Sequence, residues 1–155
     1  MSLRFDKFTV KAQEAVQRTQ QVAEDKGHQQ LTALHLLKAL LDEEHGVVRP
    51  LILKIGASPD QLRSVTDQEL NRLPKVSGGA IQVGLGQELL KVIDAAQKQA
   101  DQMKDQFLST EHLLIGLFRI DSAAKKLLNM HGVGEHDVLE ALKAVRGGQT
   151  VTDQS

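Results

Sequence analysis

The stretch "LTALHLLKALL", Leu31–Leu41, returns further along the chain as "LSTEHLLIGLF", Leu108–Phe118. Five of the eleven positions are identical, Thr32 faces Ser109, and Ala39 faces Gly116. His35 and His112 stand 112 − 35 = 77 residues apart. Each falls in the first turn of a helix if Thr32 and Ser109 are the N-caps. The leucines recur at spacings of three and four, the period of a helix with a buried face. A helix repeated with its cap and its histidine points to a duplicated unit.

The match extends outward from this motif. At the same offset Val16 meets Ile93, Thr19 meets Ala96 and Ala23 meets Ala100. The offset slips to 76 where Gly56 faces Gly132 and returns to 77 where Asp60 faces Asp137. In the first half, Thr9 is placed to cap a helix that Gly27 ends, and the Thr32 helix runs to about Glu43. "VVRPLILKIG" is a short apolar piece stopped by Gly56. In "SPDQL", Ser58 caps and Pro59 opens a helix to about Leu73. "PKVSGGAIQVGLG", Pro74–Gly86, is the one clear break. The order then restarts with "QELLKVIDAAQKQADQMK", the Ser109 helix, "DSAAKKLLNMHG" and "EHDVLEALKAVRGG". The expected fold is all-α, with four-helix repeats at about 5–73 and 87–146 joined by a linker at 74–86. Packed by pseudo-twofold symmetry they would make one domain over residues 1–150, with 147–155 leading onward.

Composition narrows the function classes. A chain of 155 residues can bury one substantial core. A net charge of −1 lacks the electrostatic footprint of a nucleic-acid binder. Zero cysteines excludes disulfides and thiol chemistry. No apolar run approaches the roughly 20 residues of a membrane span, and Arg4, Asp6 and Lys7 interrupt any signal-peptide core. A cytoplasmic protein without membrane or nucleic-acid partners is expected. No helix carries a heptad seam, so a monomer is expected for this length of chain.

Chemistry is sparse. There is no G-x-x-x-x-G-K-[ST] loop and no serine in a nucleophile-elbow context. His45, His131 and His136 are not spaced to put two ligands on one helical face, so no metal site and no catalytic residue is expected. His35 and His112, at the third helical position, can replace the Glu or Gln of a capping box. Asp105 in a loop and Glu111 in a first helical turn read on these grounds as solvated charge, the latter favoured by the helix dipole.

The two motifs "LHLLKALL" and "EHLLIGLF", with "NRLPKVSGG" between the halves and "RGGQTV" at the end, resemble the Clp amino-terminal repeat of the AAA+ Clp ATPases. The joining and closing segments look most like those of ClpB-type protein disaggregases, and the resemblance runs from about Phe5 to Val151. It implies a domain, itself without enzymatic activity or cofactor, that fronts a homohexameric chaperone active under stress. That machine uses ATP and Mg to thread unfolded or aggregated polypeptides through its pore, together with an Hsp70-type chaperone system. Its ATPase parts would lie beyond Ser155. The related alternative is an adaptor-docking domain of a ClpA- or ClpC-type unfoldase. The resemblance ties Thr9, Asp105 and Glu111 to substrate handling. It also implies an apolar groove beside the long helix of the second half, here lined by Leu89, Val92, Ile93 and Ala96.

Overall fold

Thr9 starts the first repeat as its position predicts: its hydroxyl accepts from the Ala12 N–H at 3.1 Å. Helix α1 spans Val10–Lys26 and ends at Gly27 with φ 75°. Ala12, Ala15, Val16, Thr19 and Ala23 form its buried stripe. Three helices follow, α2 (Ala33–Asp42), α3 (Val48–Ile55) and α4 (Pro59–Leu70). Ser58 caps the last of these through the Gln61 N–H at 3.1 Å. The second repeat gives α5 (Gln87–Gln102), α6 (Thr110–Arg119), α7 (Ala123–Met130) and α8 (Glu135–Arg146). This computed structural model describes residues 4–76 and 83–155, so residues 77–82 of the expected linker lie outside the described part.

Helices α2 and α6 correspond end to end at the offset of 77: 33 to 110, 42 to 119. The later helices correct one detail. The caps Ser58 and Gly134 are 76 apart, as are Gly56 and Gly132, both at positive φ. The offset therefore stays at 76, and Asp60 does not face Asp137. Asp137 is the third residue of α8, where its carboxylate accepts from the Gly134 N–H at 3.0 Å. Asp60 is the second residue of α4.

Two short strands were not expected. β1 (Gln30–Leu31) pairs in parallel with β2 (Gly84–Leu85), so the end of the expected linker is part of the folded structure. An isolated bridge joins Phe8 to Leu108 in the same sense. The two pairings are one contact seen twice, because 31 + 77 = 108 and 8 + 77 = 85. Each ties one repeat to the other. The helices cross over similarly: α3 packs on α8 and α7 on α4, while α1 also meets α6 and α5 meets α2.

Neither repeat closes its own core. Leu36, Leu37 and Leu40 are fully buried, and so are Leu113, Leu114 and Leu117. At Gly116 an added Cβ would stand 2.6 Å from the Val92 carbonyl oxygen, so glycine lets α5 and α6 approach closely. Sharing one apolar interior is how helices of eight to seventeen residues gain enough burial to persist. Among the described residues, no helix is long and apolar enough to cross a membrane.

Candidate functional site

Both repeated histidines work as capping groups, and the geometry fixes their tautomers. The Thr32 N–H donates to His35 Nδ1 at 2.9 Å, and the Ser109 N–H donates to His112 Nδ1 at the same distance. A backbone N–H can only donate, so each Nδ1 is unprotonated and each Nε2 carries the hydrogen. Both rings are fully buried. A second proton would have to sit on Nδ1, facing the backbone donor. Burial accordingly pulls His35 down to about 4. His112 is also lowered, burial outweighing the opposing pull of Asp105 and Glu111.

What the two Nε2–H groups meet differs. His35 donates to His28 Nδ1 at 2.8 Å. That leaves the hydrogen of His28 on Nε2, a buried atom with no partner among the described residues. His112 donates instead to Asp105 Oδ2 at 2.6 Å. His28 and Asp105 are repeat equivalents, 28 + 77 = 105.

Asp105 is the hub of the second site, and the solvated-charge expectation fails here. Its side chain is fully buried. Oδ2 also accepts from Arg146 at 2.8 Å, and Oδ1 accepts from the Val151 N–H at 2.7 Å. Burial alone would raise the carboxyl pKa, but the Val151 N–H, Arg146 and His112 together hold it below the usual range. The other guanidinium nitrogen of Arg146 reaches Glu111 Oε2 at 3.1 Å, and Glu111 is only 9% exposed. Asp105 and Glu111 are thus joined through a cation on α8.

Thr9 lies across the same seam. Its N–H donates to the Leu108 carbonyl at 2.9 Å. Thr9 and Glu111 line one cleft of about 410 Å³, together with Lys11, Ser109, Thr110 and the chain's own Val151, Asp153 and Ser155. Beyond α8 the chain runs without helix or strand and is held by main-chain bonds. The Gln106 N–H donates to the Val151 carbonyl and the Val10 N–H to the Gln154 carbonyl, both at 2.7 Å. The Gln154 amide donates to the Phe8 carbonyl at 2.9 Å. Arg146 and this tail were not singled out from the sequence. The signal available was the repeat comparison, which sets Arg146 against Leu70.

The structure separates the apolar candidates from these polar ones. Leu89, Val92, Ile93 and Ala96 do share a face of α5, but it is the inner face, at most 6% exposed, turned into the core against α6. A substrate cannot reach them in the folded chain, so they are corrected from groove lining to core. The open hollow beside α5, about 420 Å³, is lined instead by Leu90, Lys91, Asp94, Ala95, Arg119 and Ile120 among others. No cluster of three or more histidine, aspartate or glutamate side chains suited to a metal occurs among the described residues.

A family model described as the Clp repeat (R) N-terminal domain matches residues 7–131. Chaperone protein ClpB of Rhodopirellula baltica is 38% identical over 153 residues, 99% of this chain and 17% of the relative. Chaperone protein ClpB 1 of Thermosynechococcus vestitus is 39% identical over 150 residues, 97% of this chain and again 17% of the relative. The chain therefore spans about one-sixth of the length of these curated relatives. Among solved structures, the Hsp104 N-terminal domain from Candida albicans aligns with a TM-score of 0.84 at 19% identity, covering 96% of this chain and 97% of that one. The N-terminal domain of ClpD from Arabidopsis thaliana gives 0.72 at 24% identity, covering 94% and 99%. At these identities the structural matches speak for the fold.

Proposed function

Because this chain belongs to the Clp repeat N-terminal domain family, with ClpB chaperones among its relatives, we propose that it engages unfolded or aggregated polypeptide for an ATP-driven unfolding machine. In that reading the domain takes hold of the substrate and passes it to the pore of a homohexamer. ATP, Mg and the Hsp70-type partner belong to the longer protein and not to these 155 residues. The supporting observation is the seam cleft. Thr9 from the first repeat and Glu111 from the second line it together, and an extended segment already lies there on main-chain hydrogen bonds. Main-chain recognition suits a domain that must take many sequences, because every polypeptide offers the same N–H and C=O groups.

Within the cleft, Asp105 acts as a positioning residue. It is buried behind Val151 and holds Arg146, which in turn orients the Glu111 carboxylate at the rim. Glu111 and the Thr9–Thr110 edge are the groups expected to meet the ligand. The test is fluorescence anisotropy with a labelled, permanently unfolded protein such as reduced and carboxymethylated α-lactalbumin. Glu111→Gln removes the rim charge while keeping an acceptor for Arg146. It should weaken binding several-fold with an unchanged thermal melt. Unchanged binding by this variant would remove the seam from the substrate path.

A further inference from the structure

The residues that hold the tail are the ones a bound strand would need. Gln106 and Val10 present main-chain donors and Asp105 presents an acceptor; Val151 uses the first and third, and the Gln154 carbonyl uses the second. The Val10 N–H is the first donor of α1, a group no helix can satisfy internally. In this structure the tail satisfies it, but any extended chain with a carbonyl at that place would do the same. We propose that Val151–Ser155 is a displaceable strap seated in the peptide site, and that an unfolded polypeptide engages by taking over its main-chain bonds. This rests on the reading of the seam as the substrate site and adds its regulation: the site is covered by the chain itself until the strap leaves.

The strap is built to leave. Gly147 and Gly148 both adopt positive φ, 57° and 94°, at the point where the chain turns off α8. Glycine reaches those values without the Cβ penalty and leaves the turn pliant. No residue from Val145 to Ser155 is buried. The strap is therefore held by a handful of hydrogen bonds near solvent, each of small net value, with little apolar burial to reinforce them. Segments of that kind open at low free-energy cost while the core stays folded.

Two substitutions loosen the strap without touching the groups that would receive a ligand. Val151→Pro deletes the N–H that binds Asp105, and Gln154→Ala deletes the amide bonds to Phe8 and Asp6. Each is made in the 155-residue chain and measured with carboxymethylated α-lactalbumin beside Glu111→Gln. If the site is open about a tenth of the time, releasing the strap raises apparent affinity by up to about tenfold. The Val10 amide should exchange its hydrogen faster in both variants, and a free peptide "GQTVTDQS" should compete with the unfolded protein. Faster Val10 exchange with unchanged or weakened binding overturns the strap. If Glu111→Gln loses binding in that same experiment, the seam reading survives its loss. If the unmodified chain and both loosened variants bind nothing, the strap and the seam reading fail together.

Discussion

The two repeats begin their central helices in the same way and then diverge within one hydrogen bond. In the first, the relay from Thr32 through His35 stops at His28, whose last N–H finds no described partner. In the second, the relay from Ser109 through His112 enters Asp105 and spreads to Arg146, Glu111 and the tail. The equivalents of Glu111 and Arg146 are Leu34 and Leu70, both buried. Duplication supplied two identical helix starts, and only one carries a charged network to the surface. The difference teaches that the shared fold and the charged network draw on separate positions of the repeat: capping and leucines are symmetric, whereas the seam chemistry is not.

The sharpest way to break that comparison is to delete the two equivalent relay ends. Asp105→Ala strands a largely buried guanidinium and two N–H donors, and it should cost about 3–5 kcal/mol in urea melts. His28→Leu trades one orphaned donor for another, since His35 Nε2–H would lose its acceptor, and a change of similar volume should cost less than about 1.5 kcal/mol. Equal costs would mean the second network is no more structural than the first. The symmetric part is tested by Leu36→Ala and Leu113→Ala. Both positions are fully buried, and each should cost about 2–5 kcal/mol. A loss at one position only would contradict a shared core.

Acid should act on the histidines. His28, His35 and His112 are all lowered, foremost by burial, His35 to about 4. Unfolded histidines titrate near 6.5, so the unfolded chain binds more protons below that pH. Stability is therefore complete above about pH 6.5 and falls as pH drops toward about 4. His35→Gln keeps an acceptor at the third helical position but cannot take up a proton, and chemical melts across that window should show a shallower slope. A slope identical to that of the unmodified chain would place the acid sensitivity elsewhere. The smallest effect is expected at Thr9→Ala. Loss of its bond to the Ala12 N–H should cost about 1 kcal/mol, read from the thermal midpoint.

Much of the fold was legible because its determinants are local. Thr9, Ser58 and Ser109 read as caps, Gly27 as a stop, and the leucine stripes as buried faces, and the structure uses them so. β1 and β2 were not legible, since two-residue strands have no periodicity and their pairing joins residues 54 positions apart. The site was legible only in outline. Thr9, Asp105 and Glu111 do converge on one seam, but the burial of Asp105 depends on Arg146 and Val151, which lie 41 and 46 residues away. Leu89, Val92, Ile93 and Ala96 mislead for a physical reason: a helix stripe looks the same whether it faces a groove or a core, and α6 covers this one.

The most direct test of the asymmetry is an amide-resolved NMR titration of the 155-residue chain with carboxymethylated α-lactalbumin. The account predicts that Val10, Gln106, Glu111 and Val151 shift together, while the repeat equivalents of the first three, Gln87, Gln29 and Leu34, stay in place. Shifts centred on those equivalents, or on Leu90 and Ala95 of the outer α5 hollow, would contradict it.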